Sequence, residues 1–392
     1  MTVPAPRARR RPSMVGRLLP LLLIAALLAP VGLLLAQTWQ QTGDDRNLAT
    51  RERLGVQYLR ALAPVTDALV NAQSAAVSGR PASSEALTRA VEEAAAVDAR
   101  IGAELRSQER WAGLRAKLEA LRDRSPTDPE SAYAAYTEVS DLLLALHRKV
   151  RDSSGLVRDP GPDSFFLQDS AGQDLPQAVV AAGRLADMAT LAPRRPAAEQ
   201  ARSLLELAGL RVAALAPASD LVDDLRAAVD SSESTDLGAS VLTPLDTYQR
   251  SVEALAAYSA PARGTGTIDP GQLAATRLNA QAASKQLQPV ILSELDALLA
   301  ERIDELDRDR WWAVGAATAA VLLLGWIGVL LLAAARRARR RATVVATPPS
   351  PDPQPAGEAW QPSAGRHGEH RPLEPVGAAP ESHQWGPFDV AR

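Results

Sequence analysis

The chain has 392 residues, room for two ordinary domains, and a net charge of only −3, which excludes the global positive field a nucleic-acid binder carries; no nucleic-acid partner is read. Cysteine is absent, which excludes disulfides, zinc–thiolate sites and cysteine nucleophiles. Aromatics are scarce at 4%, so a core must be built from Leu, Val and Ala, which suits helix packing and predicts an all-α fold.

The N-terminus carries Arg7, Arg9, Arg10, Arg11 and Arg17, and an apolar run extends from Leu18 to Ala36 with Trp39 just beyond it. Residues 1–17 read as a basic cytoplasmic segment and 18–39 as a first transmembrane helix, oriented by the flanking arginines. Pro20 falls in its first turn and Pro30 is expected to kink it. A cleaved signal peptide is the competing reading. Against it, the run exceeds a usual apolar core, and Leu34-Leu35-Ala36 lacks a small residue at the first position of a cleavage site.

Residues 40–310 read as helix almost throughout, an elongated extracytoplasmic domain resembling two four-helix bundles, stacked or side by side. Leu59, Leu62, Thr66, Leu69, Gln73 and Ala76 step by three and four, which places one stripe against partner helices. Gly79-Arg80-Pro81 should end this helix. The next begins at Ser83 or Ser84, shifts phase after Leu105, resumes at Trp111 and stops at Pro126. A third runs from about Glu130 to Leu156. Gly155 to Pro162 is the sharpest break and the expected division between the two bundles, with Asp163 placed as the N-cap of the helix after it. Pro176 should break or kink that helix. Further helices are expected over 175–191, 197–229, bent at Pro217, and 244–258. The last starts near Gln272 and runs without interruption towards Trp311.

From Trp311 to Ala335 no charge interrupts an apolar stretch, and it exceeds the roughly 20 residues a spanning helix needs. Arg336, Arg337, Arg339, Arg340 and Arg341 come directly after it, placing the C-terminal side in the cytoplasm. Residues 311–335 thus read as a second transmembrane helix. Residues 336–392 read as a cytoplasmic tail, first basic and then Pro-rich and disordered. The expected architecture is two transmembrane helices flanking the helical domain in the plasma membrane of a bacterium, with both termini inside. Only Lys117, Lys149 and Lys285 are lysines among 43 basic residues, a composition expected of a high-GC, actinobacterial genome.

Two stretches resemble a known family. Arg53 to Leu62 with Ala72 to Val77 resembles the first helix of helical sensor ectodomains on bacterial transmembrane receptors. Leu156-Val-Arg-Asp-Pro-Gly-Pro-Asp-Ser-Phe-Phe-Leu-Gln-Asp169 resembles their Leu-x-x-Asp-Pro-x-x-Asp-Ser-Tyr-Tyr-Leu-x-Asp element. Such ectodomains occur in chemotaxis-type receptors and in nitrate/nitrite-sensing and helical bimodular sensors. The matching positions are Leu156, Asp159, Pro160, Asp163, Ser164, Leu167 and Asp169, while Phe165 and Phe166 stand where tyrosines are usual. The resemblance implies ligand sensing and parallel pairing of two chains. It also implies an output module after the second span, and nothing beyond Arg341 reads as one.

No Walker loop, dinucleotide fingerprint or His-Glu-x-x-His motif occurs, so no enzyme, cofactor or metal site is read. His147 reads as a packed or solvated side chain. His367 and His370 sit in the Pro-rich tail. The candidate ligand-binding residues are Asp159, Asp163, Ser164, Phe165, Phe166 and Asp169, at a helix start where backbone N–H groups could hold an anion. Asp163 as a plain N-cap with two core aromatics is the competing reading. Trp111 and Arg115, one turn apart, form a second candidate, an aromatic-plus-guanidinium wall for a small anion; an exposed basic residue beside a core tryptophan is the competing reading. Arg336, Arg337, Arg339, Arg340 and Arg341 flank the membrane and attract anionic headgroups. The expected function is a non-catalytic membrane-anchored sensing protein. Its expected partners are the lipid bilayer, a small anionic ligand, a second copy of the chain and a separate cytoplasmic signalling or scaffold protein. The alternatives are a structural envelope scaffold with a Pro-rich docking tail and no small ligand, and a degraded receptor that has lost both output and ligand.

Overall fold

The computed structural model describes residues 15–80, 84–123, 126–157, 162–232, 235–260 and 268–344. Among them the fold is all-helical, with no strand. In chain order the helices are α1 (Val15–Val77), α2 (Ser84–Ile101), α3 (Gln108–Asp123), α4 (Pro129–Ser154), α5 (Pro162–Asp169), α6 (Leu175–Leu191), α7 (Gln200–Ser231), α8 (Thr235–Tyr258) and α9 (Pro270–Val344). The chain to Leu330 forms one compact unit, and residues 331–392 form a second, whose described part is the end of α9. The tail expected to be disordered lies outside the described residues from 345 onward.

α1 packs against α2, α4 and α6, while α3 packs on α4, and α5 and α8 on α7. Of the predicted stripe on α1, Leu59, Leu62, Thr66, Leu69 and Gln73 are buried. Its neighbours α2, α4 and α6 also meet α1 through polar pairs. The Tyr58 hydroxyl donates to Asp98 Oδ1 on α2 at 2.7 Å. Thr66 Oγ1 lies 3.2 Å from His147 Nε2 on α4. Gln73 Nε2 donates to Asp187 Oδ2 on α6 at 2.9 Å.

α9 runs antiparallel to α1. Arg310 lies over the Trp39 ring, 3.4 Å from its centroid. Arg46 pairs with Asp307 at 2.8 Å and Arg53 with Asp296 at 2.8 Å. Gln281 Nε2 donates to Asp67 Oδ1 at 2.8 Å, and Arg277 donates to Asn71 Oδ1 at 3.2 Å. Each step along α1 is matched by a step back along α9, so one register holds for roughly thirty residues, about 50 Å at about 1.5 Å per residue. Between the polar contacts, Leu287, Ile291, Leu292, Leu295 and Leu299 of α9 join the apolar cluster around Leu59 and Leu62.

Several boundaries have visible causes. Asp128 caps α4, accepting the Ser131 N–H at 2.9 Å, with Pro129 in the first turn. Gly155 ends α4 at φ 95°, a left-handed conformation that glycine adopts without a Cβ clash. The phase shift after Leu105 is a break: α2 stops at Ile101 and α3 starts at Gln108, with Arg106 at φ 51° in the corner. Buried Asp98 holds that corner, accepting Ser107 Oγ–H at 2.9 Å.

Four expectations are corrected. α8 begins at Thr235, nine residues before Pro244, which lies inside the helix. Pro176 does not end a helix. Instead a π turn, Ser170–Asp174, joins α5 to α6, and the Leu175 N–H reaches Ser170 O, five residues back. Proline at 176 has no N–H for the ladder, and the wider turn absorbs the mismatch. Asp163 lies within α5 rather than before it, because the helix starts at Pro162. The core also does not divide at the Gly155–Pro162 break. One cluster joins α1–α4 to α5, α7, α8 and α9, and a second gathers Val77, Leu185, Met188, Leu191, Leu207, Leu255 and Leu273. The division therefore runs along the long helices, since each is long enough to enter both clusters.

α1 approaches its neighbours closely where glycine allows it. A Cβ on Gly183 of α6 would lie 2.6 Å from Val70 Cγ1. Gly183→Ala should therefore destabilise the bundle by about 1–3 kcal/mol. Adding Val70→Ala should recover part of that loss, because the clashing methyl is gone. Chemical denaturation of the four forms of this double-mutant cycle checks it, and strict additivity would contradict the packing described.

Candidate functional site

The predicted site residues fall in two places. Trp111 is buried in the core of α3, whereas Arg115 is exposed and paired with Glu119 at 2.9 Å. Arg115 borders a groove of about 490 Å³ with Arg122, Leu87, Leu118, Leu121 and Tyr136, and Trp111 does not line it. The two therefore do not form one wall: one turn apart, the tryptophan faces inward and the arginine outward.

The other group sits on α5. Asp159 lies outside the described residues, and of Asp163 only its backbone place in α5 is described. Ser164 is buried. Phe166 is partly buried against the core, but Phe165 is 41% exposed, so the aromatics are not both core residues. Their rings meet edge to face at 5.7 Å. Asp169 ends α5 and pairs with Arg151 of α4 through Oδ1 at 2.5 Å. The Arg151 stem passes the π turn at Gly172, where a Cβ would lie 2.9 Å from its Cδ. Of the membrane-flanking arginines, Arg336, Arg337 and Arg340 are exposed on the last turns of α9, and the side chains of Arg339 and Arg341 are not described.

The structure adds two acids that the sequence did not single out. Asp174, at the end of the π turn, and Asp224 of α7 join Asp169, with one carboxylate oxygen from each lying within 4.8 Å of the others. In an α-helix residues five apart point about 140° away from each other at about 3.6 residues per turn. The π turn, closed by bonds to the fifth residue back, brings Asp169 and Asp174 round to one side. Asp174 is 4% exposed, and its Oδ2 has no hydrogen-bond partner among the described residues. Burial, then the charges of Asp169, Asp224 and Asp220, push its carboxyl up to about 7, against the opposing pull of Arg151. Burial, with Asp169 and Asp220 adding to it, raises Asp224 to about 6. One signal for the cluster is present in the sequence: acids at 169 and 174 just before a proline at 176, with Asp220 and Asp224 four apart on a later helix.

His147 is fully buried. Thr66 donates its only hydroxyl proton to Leu62 O at 3.1 Å, so it accepts from the His147 Nε2–H. Nδ1 then carries the lone pair and has no partner. Protonating it would bury a cation without an acceptor, and burial holds the pKa down at about 4. This is a packed histidine bonded to a threonine whose hydroxyl proton is already given to Leu62 O, with no carboxylate bonded to it among the described contacts.

The two groups act oppositely on stability. Acids whose folded pKa is raised take up protons on folding, so their contribution improves as the pH falls through about 7 and 6. A histidine whose folded pKa is lowered releases a proton on folding, so its contribution is lost as the pH falls from about 6.5 to about 4. Melting temperature against pH should therefore pass through a maximum in mildly acidic buffer. His147→Gln, which keeps a donor to Thr66, should flatten the acid limb, and an unchanged limb would contradict the buried neutral imidazole. Compared with known proteins, the chain matches no family model, no curated protein and no solved structure.

Proposed function

We propose that this is a two-pass, non-catalytic membrane sensor, whose helical domain lies outside the cell and whose state reaches the inside through α1 and α9. One observation carries this reading: both helices run unbroken from their apolar segments into the bundle, locked to each other in a single antiparallel register. The apolar part of α9 is long enough to cross a membrane, with Val321, Leu322, Leu323, Trp326 and Val329 exposed. An exposed apolar face of this extent needs a lipid or protein cover. In α1, Leu33 and Leu34 are likewise exposed. Continuing the register that places Trp39 beside Arg310 would set the first apolar segment alongside residues 311–330. A change in packing anywhere along α1 would then move one span relative to the other, as a small translation between packed helices does.

The resemblance to helical sensor ectodomains points the same way and makes a small anion the first ligand class to try. A separate protein, reached by the tail, would read the output. A structural envelope scaffold is the second reading, favoured by the mixed charge of a large surface groove, where basic and acidic side chains already pair with each other.

The absence of cysteine makes single-cysteine variants clean reporters. Ser232→Cys should react with a membrane-impermeant maleimide on intact cells, and Ser363→Cys only after permeabilisation. The reverse pattern would sink the topology. For sensing, thermal unfolding of the full chain in nanodiscs should shift with nitrate, nitrite or a small organic acid. At 100-fold excess over Kd the gain is about 2.7 kcal/mol. No shift with any of them, together with a stably bound envelope protein, would support the scaffold.

A further inference from the structure

The geometry points to a divalent-cation site, calcium-sized, where Asp169 and Asp174 of the π turn meet Asp224 of α7. The three oxygens lie within 4.8 Å of one another. Calcium ligands sit at about 2.3–2.6 Å, so oxygens around one such ion are separated by at most about twice that distance. Magnesium demands a near-ideal octahedron at about 2.0–2.1 Å and gives up its waters reluctantly, so an irregular, largely buried carboxylate cluster favours calcium. All three donors are carboxylates, which selects a hard cation over zinc or copper.

An acidic cluster alone would not establish this, but Asp174 supplies a separate observation. It is buried to within 4% of completely, it points its carboxylate into the cluster, and its Oδ2 meets no donor. Buried carboxylate oxygens are ordinarily hydrogen-bonded or bound to a metal. Arg151 does not fill this role, since its hydrogen bond goes to Asp169 Oδ1 and not to Asp174. One cation would neutralise charges that now repel and would tie α5 to α7 across the π turn. Binding requires nothing of the membrane topology; only a signalling consequence rests on the sensing reading.

The test uses the full chain in nanodiscs, stripped with a chelator and titrated with calcium chloride at constant ionic strength. Magnesium chloride forms a second arm and sodium chloride a control. The expected result is a saturable rise in melting temperature, larger for calcium than for magnesium. Asp174→Asn, which preserves shape, should weaken the apparent affinity at least about tenfold. It should also raise the melting temperature in chelator, because one repelling charge is gone. Asp224→Asn should behave likewise, and Asp246→Asn, exposed on α8, should titrate as the parent does. The site is overturned if calcium gives no shift in the parent, or if the shift survives in both Asp174→Asn and Asp224→Asn. A rise in chelator without any cation response would also overturn it, and would mean that the carboxylates share a proton. None of these outcomes depends on the maleimide labelling that tests topology, so the two proposals fail separately.

Discussion

One constraint organises the molecule: α1 has a specific polar partner on each of the helices α2, α4, α6 and α9. Asp98, His147 and Asp187 reach it from α2, α4 and α6, and Gln281, Asp296 and Asp307 reach it from α9. Leu, Val and Ala supply the bulk of the burial, but they are nearly interchangeable along a helix and would tolerate a slip of one turn. The polar pairs would not. At the buried pairs, those of Asp98, His147, Asp187 and Gln281, a slipped helix would leave a carboxylate, amide or imidazole without its partner, at about 1–3 kcal/mol each. Apolar burial therefore drives the association, and the polar pairs decide the alignment.

Residues with special backbone requirements do the local shaping. Pro176 has no N–H for the ladder, the helix widens into a π turn just before it, and the widening turns Asp169 and Asp174 to the same side. Gly172, inside that turn, leaves room for the Arg151 stem that pairs with Asp169. Gly183 lets α6 approach Val70 of α1 closely. The acidic cluster is thus a product of one proline and one glycine within a few residues, placed opposite an acidic face of α7.

Periodicity carries most of the information that the sequence holds about this fold. The stripe on α1 is legible because leucines three and four apart have one explanation. So is the unbroken run from α9 into its apolar segment, where nothing signals a stop. The misreadings share a cause. Pro244 and Pro176 look like boundaries because proline lacks an amide, yet α8 encloses the first and a π turn absorbs the second. Tertiary packing outweighs the local preference in both cases. At the site, Asp169 is visible through its motif, but Asp174 and Asp224 are not. Their convergence depends on a change in helical pitch and on a contact between residues about fifty positions apart, and no single-helix pattern encodes either. For Trp111 and Arg115 spacing leaves two readings open, and burial decides for a core tryptophan beside an exposed arginine rather than a shared wall.

The placement of charge within the bundle bears on how it could change state. The α1–α9 ion pairs are partly exposed and are screened by water and salt, so individually they hold little. The Asp169–Asp174–Asp224 cluster is different, because three carboxyl groups share a confined space with one arginine nearby, and burial and mutual repulsion raise two of them towards neutrality. Their repulsion is relieved by a proton or by a separation of α5 from α7. α7 and α5 contribute to the same apolar cluster as α1 and α9. In a close-packed interior a shift between packed helices proceeds by discrete repacking rather than gradual strain. A change of charge at the cluster therefore acts first on the packing of α5 against α7, inside the core that the long helices share.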